Sequence, residues 1–128
     1  MANKVLQVIE SAYRATVEEQ DDTVIWITHA MKNAGADLTV LLRGHAVNYA
    51  TRDQDASGLS FGAWQQVNPP QPGYDLARLI QSGVPVYLVE EDAVERGIEP
   101  SALIEGVRTI ERGKVPGLFG QFDRIWRW

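Results

Sequence analysis

The sequence predicts a three-layer α/β/α domain built on a mainly parallel sheet of about five strands. The first observation is that the apolar residues of segments such as 5–9 and 84–89 run together instead of alternating, which is typical of strands buried on both faces. The second is that helical patterns separate these segments. A strand, helix, strand unit of this length favours a right-handed parallel crossover.

In the first half of the chain the expected elements follow one another closely. They are a strand at 5–9, a helix at about 23–34, a strand at 37–42 and a short helix around 46–50. Asp21, Asp22 and Thr23 are candidate N-cap residues for the long helix, and Gly35 ends it. Its apolar surface is wide and includes Trp26, which suits either a subunit contact or cover by a neighbouring loop.

The second half begins with a long irregular segment and ends with an aromatic strand. The expected order is a loop at 51–73, a helix at 75–80, a strand at 84–89, a short helix ending at Gly97, a helical turn at 100–104, a strand at 107–110, a turn at 115–120 and a strand at 122–128. Phe61 and Trp64 are expected to anchor the loop to the body. Phe122, Trp126 and Trp128 fall on one face of the last strand, and we expect this terminus to be docked.

Composition limits the function more than it defines it. A chain of 128 residues is expected to form one domain, spanning 1–128. A net charge of −5 gives no general attraction to nucleic acid or to anionic membranes. The absence of cysteine excludes disulfides, thiolate nucleophiles and persulfide chemistry on this chain. With neither a signal peptide nor a membrane-length apolar run in the sequence, we expect a cytoplasmic protein.

Three consecutive acids, Glu90, Glu91 and Asp92, stand where the 84–89 strand passes into a helix. Open α/β sheets keep their binding sites at this edge. The acids could hold a hard cation, or one of them could serve as a general acid or base. The alternative is that they are solvated first-turn residues stabilised by the helix dipole, and this simpler interpretation is favoured.

Other polar residues at the same edge complete a candidate cleft. His45 follows the second strand and could pair with a carboxylate, with Asn48 one turn further on, although a lone histidine at a turn more often only makes a hydrogen bond. Tyr13 and Arg14 follow the first strand, and Arg14 could hold an anion or simply pair with a nearby acid. No phosphate-binding glycine motif and no zinc-binding pattern occurs, so no cofactor and no metal are expected.

Several stretches taken together resemble the DsrE/DsrF family of small sulfur-relay proteins, which have the YchN-like fold. They are the opening strand, the helix at about 23–34, the turn Leu-Leu-Arg-Gly-His-Ala-Val at 41–47, the strand Gly-Val-Pro-Val-Tyr-Leu-Val at 83–89, the sequence Glu-Arg-Gly-Ile at 95–98 and the Asp-Arg-Ile of the closing strand at 123–125. The resemblance implies a homo-oligomer, as a dimer, trimer or hexamer, and a sulfur-relay partner. Family members that carry sulfur use a cysteine whose place here falls near Val89 and Asp92. The resemblance therefore implies the fold and the assembly but not sulfur transfer.

Two functions remain open from the sequence. The first is a cysteine-free, non-catalytic binding or scaffold subunit associated with sulfur relay. The second is an enzyme or small-ligand-binding protein that uses the carboxylate and histidine cleft. The first is favoured because each cleft residue has a stronger structural explanation.

Overall fold

The computed structural model describes most of the chain, and the ranges are 3–12, 23–52, 54, 60–65 and 71–128. The predicted helix caps Asp21 and Asp22 lie outside the described residues, as does much of the 51–73 loop. Within the described ranges the order of strands and helices follows the sequence prediction closely.

Seven strands are present in the described ranges. They are β1 (Lys4–Ile9), β2 (Asp37–Leu42), β3 (Ser60–Phe61), β4 (Trp64–Gln65), β5 (Val86–Val89), β6 (Arg108–Ile110) and β7 (Arg124–Arg127). Five of them form one sheet in the order β6-β5-β2-β1-β7, and every neighbouring pair is parallel. The strands β3 and β4 form a separate antiparallel hairpin. The predicted parallel α/β sheet of five strands is confirmed.

Within the same ranges, four α-helices and three short 3₁₀ helices connect the strands. The α-helices are α1 (Thr23–Asn33), α2 (Pro72–Gln81), α3 (Glu90–Glu95) and α4 (Val115–Phe119), and the 3₁₀ helices are Gly44–Ala50, Pro100–Ala102 and Arg112–Lys114. Gly35 and Gly83 follow α1 and α2 with φ near +96° in both cases. This left-handed conformation suits glycine at helix ends, and Gly35 ends the helix that the sequence predicted it to end.

The two faces of the sheet carry separate apolar clusters, which accounts for three layers. Val5 and Ile9 of β1 point to the side covered by α1, α2 and the 3₁₀ helix Gly44–Ala50. Leu6 and Val8 point to the other side, which α4 covers. Since successive side chains of a strand alternate between faces, one strand supplies both clusters.

A buried polar network joins the C-terminus to α1 through the sheet. Gln7 and Thr28 are fully buried. The Gln7 amide nitrogen donates to the Thr28 hydroxyl at 3.2 Å, and that hydroxyl donates to the Val24 carbonyl at 2.7 Å. The Trp128 indole nitrogen donates to the Gln7 amide oxygen at 3.0 Å. The aromatic terminus is therefore docked, as predicted, but through a polar contact as well as an apolar one.

The three terminal aromatic residues do not share one environment, in contrast to the sequence prediction. Trp128 packs against the α1 side of the sheet, whereas Phe122 packs against the α4 side. The strand begins only at Arg124, after a bend at Asp123, so the alternation does not extend back to Phe122. Trp126 remains 39% exposed.

The expected role of Phe61 and Trp64 is also wrong. Their rings stack on each other across the β3–β4 hairpin, with centroids 5.7 Å apart. Phe61 is 63% and Trp64 43% exposed, so neither ring anchors the loop in the core. Gly62, with φ near +59°, makes the turn that brings the rings together.

We expect Trp128→Phe to lower the free energy of unfolding by about 1–3 kcal/mol, because it leaves the buried amide oxygen of Gln7 without a donor. Trp126→Phe is the matched control, since it makes the same change at an exposed ring and should cost no more than about 0.5 kcal/mol. Urea unfolding of both variants measures the difference. Equal losses would show that the indole hydrogen bond does not stabilise the fold.

Candidate functional site

The three acids lie at the carboxyl edge of the sheet, as the sequence predicted. Val89 is the last residue of β5, and Glu90, Glu91 and Asp92 form the first turn of α3. Glu90 is exposed, whereas the other two are partly buried. The helix α3 begins directly after β5 without an intervening loop, so the position of the acids is fixed relative to the sheet.

Asp92 connects the ends of two neighbouring strands. One of its carboxylate oxygens, Oδ2, accepts a hydrogen bond from the backbone N–H of Gly44 at 2.8 Å, just beyond the end of β2. The other, Oδ1, lies 2.5 Å from Nη2 of Arg112, which follows β6. The Asp92 side chain is only 14% exposed. Both oxygens of this carboxylate therefore have partners within the protein.

Arg112 also contacts two other carboxylates of α3, those of Glu91 and Glu95. Its backbone N–H donates to both carboxylate oxygens of Glu91, at 2.9 and 3.1 Å. Its guanidinium also lies 3.3 Å from Glu95. On the other side, the Arg96 guanidinium donates to the Asp92 carbonyl at 3.1 Å. In this turn every carboxylate oxygen of Glu91 and Asp92 therefore has a hydrogen-bond or ion-pair partner within the protein.

A second ionic group occupies the same edge at the ends of β1, β2 and β7. The Glu10 carboxylate oxygen Oε1 accepts from Nη2 of Arg43 at 2.6 Å and from Nη2 of Arg127 at 2.8 Å. The Arg43 guanidinium also lies over the Phe119 ring, 5.8 Å from its centroid. One carboxylate is therefore shared by two arginines, and Arg43 is adjacent in sequence to the Gly44 amide that binds Asp92.

The pKa values of the two central carboxyls follow from these contacts. Burial acts to raise the pKa of Asp92, but the Gly44 hydrogen bond and the Arg112 guanidinium together outweigh it, so this pKa lies below its usual value. Hydrogen bonds from Arg127 and then Arg43 lower the pKa of Glu10. In turn, Asp92 and Glu95 raise the pKa of Arg112. These shifts hold the carboxyls in their charged form, which is unsuited to a proton-donating acid at neutral pH.

The other predicted cleft residues are less closely connected. His45 is exposed, and no described carboxylate pairs with its ring. The Asn48 amide nitrogen donates locally to the His45 carbonyl at 2.9 Å. Tyr13 and Arg14 lie outside the described residues. The structure therefore brings Asp92 and Glu91 into one network, leaves Glu90 and His45 facing solvent, and gives Asn48 a local contact.

Sequence reasoning missed the residues that neutralise the acids, namely Glu10, Arg43, Arg112 and Arg127. A signal for three of them was present, because Glu10, Arg43 and Arg112 each come one or two residues after a predicted strand. In a parallel sheet such positions meet at the same edge. Alternate arginines and acids at successive strand ends indicate an ionic network at that edge.

The described part of the chain contains no group of three or more histidine and acidic side chains arranged to hold a metal ion. None of its helices combines the length and apolar character needed to cross a membrane.

With this geometry, the protein has the YchN-like type of α/β fold. Over the whole of both chains it is similar to the YchN protein from E. coli, with 20% sequence identity and a TM-score of 0.73. It is also similar to MTH1491, a protein of unknown function from Methanobacterium thermoautotrophicum, with 15% identity and a TM-score of 0.66 over 98% of this chain and 99% of the other. No family model and no curated protein matches the sequence. The expected fold is confirmed.

We expect Asp92→Asn to lower the free energy of unfolding at neutral pH by about 1.5–3 kcal/mol, the usual value of hydrogen bonds to a charged group. The amide can still accept from Gly44, but it removes the charge that Arg112 contacts. Glu90→Gln is the matched control, because it removes one charge from the same helix turn at an exposed position. Chemical denaturation should show a much smaller change for the control.

The difference in stability between the natural protein and Asp92→Asn should depend on pH, and the lowered pKa of Asp92 fixes the sign of that dependence. A carboxyl whose pKa is lower in the folded state stabilises the fold above its unfolded pKa, near pH 4, and loses this contribution as the pH falls through the folded pKa. The advantage of the natural protein over Asp92→Asn should therefore be constant from pH 7 to about 5 and should shrink below about pH 4. Denaturation curves at several pH values measure it. An unchanged difference down to pH 2 would contradict the assigned ion pair.

Proposed function

We propose that this protein is a cysteine-free, non-catalytic binding or scaffold subunit related to the DsrE-like proteins, acting as a homo-oligomer beside a cytoplasmic sulfur-relay system. The observation that carries the proposal is the state of Asp92. It stands in the turn where the resemblance places the sulfur-carrying cysteine, and both of its oxygens are bound within the protein.

The surrounding charges support a structural role for this edge of the sheet. A catalytic carboxylate needs an oxygen that can reach a substrate and a pKa near the working pH. Glu91 and Asp92 have partners on each oxygen, and the pKa values of Asp92 and Glu10 are lowered. The edge is therefore better suited to holding strand ends together than to acid or base catalysis.

The alternative function, an enzyme or small-ligand binder at this cleft, depends on the two groups that remain exposed. Glu90 and His45 face solvent, and an incoming metal or anion could reach them. A thermal-shift response to metals or small anions that is lost in His45→Gln would favour this alternative. A flat response over a broad panel would exclude it.

An oligomer interface is supported by exposed aromatic residues on two adjacent helices. Trp26 of α1 is 59% exposed and Tyr74 of α2 is 65% exposed. The two helices are in contact, because a His29 ring nitrogen lies 2.9 Å from the Asp75 carbonyl oxygen. Trp26 lies one helical turn before His29, and Tyr74 directly precedes Asp75. Aromatic side chains at such positions are enriched in subunit interfaces.

We expect the protein to form a complex of defined stoichiometry with at least one cysteine-bearing sulfur carrier of the DsrE-like type. Native mass spectrometry of the full chain mixed with a panel of such carriers, in thiol and persulfide forms, tests this. The sulfur should stay on the carrier, because this chain has no thiol to receive it. Failure to bind any carrier in either form would count decisively against the scaffold proposal.

We expect light scattering to give the mass of a dimer, trimer or hexamer, and Trp26→Glu to shift it towards the monomer, because a charge would be buried at the interface. Val94→Glu is the control, since Val94 is an exposed apolar residue on α3 and is 68% exposed. A natural protein that is monomeric at high concentration would refute the oligomer. An equal effect of both substitutions would place the interface elsewhere.

A further inference from the structure

A groove opens at the amino edge of the sheet, opposite to the acidic turn. Its volume is about 220 Å³, and it lies between α4 and the first residues of β1, β2 and β5. Lys4 is paired in register with Asp37, Leu6 with Thr39 and Leu41 with Tyr87. Their shared face is the one that α4 covers, so the groove is one surface made by three strands.

The polar groups of this groove lack partners within the described part of the chain. The Lys4 ammonium and the Asp37 carboxylate have no counter-ion there, not even each other. The Lys4 backbone, by contrast, is fixed at both ends, because its N–H donates to the Asp123 carboxylate at 2.8 Å and its carbonyl accepts from the Asp123 N–H at 2.9 Å. The Lys4 backbone is therefore held in place, while the Lys4 ammonium is available to bind a ligand.

Thr39 is the most informative residue of the groove. It is only 7% exposed, yet its hydroxyl makes no hydrogen bond with any described residue. No fully enclosed side-chain nitrogen or oxygen of the described residues is without a partner, so this hydroxyl must be reached from the groove. A hydroxyl that is accessible from the groove and has no partner among the described residues is available to hydrogen-bond a polar group of a ligand bound there.

Most of the remaining walls are apolar or aromatic. Tyr87 and Phe122 are half-buried, Leu118 is buried, and Pro85 precedes β5, while the exposed Gln121 adds one further polar residue. The Arg108 guanidinium lies over the Tyr87 ring, 5.8 Å from its centroid. A groove that combines apolar and aromatic walls with several convergent polar groups can bind a small molecule.

From this juxtaposition, we propose that the groove binds a small zwitterion with an apolar side chain, in chemical class an α-amino acid. Lys4 contacts the carboxylate of the ligand and Asp37 its ammonium, while the apolar side chain lies against Phe122 and Leu118. Neighbouring strands are about 4.8 Å apart, so the two protein charges can reach one ligand whose own charges are close together. The volume is below the roughly 300–1,000 Å³ of drug-sized sites, which favours a ligand of this size.

The test uses the full chain and L-leucine, with two analogues that each lack one charge, 3-methylbutylamine and 4-methylpentanoate. We expect leucine, or another apolar member of a panel of free amino acids, to shift the amide resonances of Thr39, Tyr87 and Phe122. The dissociation constant should be on the order of 1 mM or tighter. Each analogue should bind at least tenfold more weakly.

Variants separate this site from a structural role of the same residues. Thr39→Val replaces a hydroxyl that no described residue hydrogen-bonds by a methyl group, so it should leave the unfolding midpoint unchanged or raised while weakening leucine binding several-fold. Asp37→Asn should weaken leucine binding at least tenfold but leave the binding of 4-methylpentanoate unchanged. Glu99→Gln, at an exposed acid that does not line the groove, is the control and should change neither quantity.

Three results would overturn the proposal. The first is the absence of groove shifts with every amino acid of the panel. The second is equal binding of leucine and its two analogues, which would indicate non-specific apolar contact. The third is that shifts of these resonances depend on protein concentration and not on ligand, which would identify the groove as a contact between copies of the chain. None of these results bears on binding to sulfur carriers, so the two proposals fail separately.

Discussion

The hydrogen bond from the Gly44 amide to the Asp92 carboxylate is the constraint on which the carboxyl edge of the sheet depends. It joins the turn after β2 to the first turn of α3, directly after β5. Since Arg112 follows β6 and contacts the same carboxylate, one side chain links the ends of three adjacent strands. Removing that charge would leave Arg112 without its nearest counter-ion at the point where the three strands meet.

A second carboxylate repeats this arrangement on the other half of the sheet. Glu10 follows β1 and binds Arg43 after β2 and Arg127 in β7. Arg43 and Gly44 are neighbours in the chain, so the two ionic groups meet at the end of β2, the central strand. Exposed ion pairs contribute little one at a time, but a set in which each charge has several partners is held in one geometry. The edge where open α/β sheets bind ligands is here largely occupied by the protein itself.

The sequence predicted the parallel sheet and its elements because those depend on local patterns. Unbroken apolar runs identified β1, β2 and β5, and glycines identified the helix ends. Contacts between distant residues were not predictable in this way. The helix α1 buries Thr28, whose hydroxyl accepts a hydrogen bond from Gln7, 21 residues earlier, and no local pattern within the helix indicates this pairing. Phe61 and Trp64 stack on each other because of a turn geometry, which hydrophobicity alone does not reveal.

The chemistry of the candidate site also depends on contacts between distant residues, which local sequence patterns do not reveal. Three adjacent acids at a strand end correctly predict that these side chains lie at the carboxyl edge of the sheet, but whether they are reactive depends on what faces them. The structure supplies Arg112 and the Gly44 amide for Asp92, and these hold it in its charged form. Across the sheet the situation is reversed, because the polar side-chain groups of Lys4, Asp37 and Thr39 have no partners among the described residues. In a single compact sheet, unpaired polar groups in a groove are a better indication of ligand binding than a cluster of acids whose partners are already present.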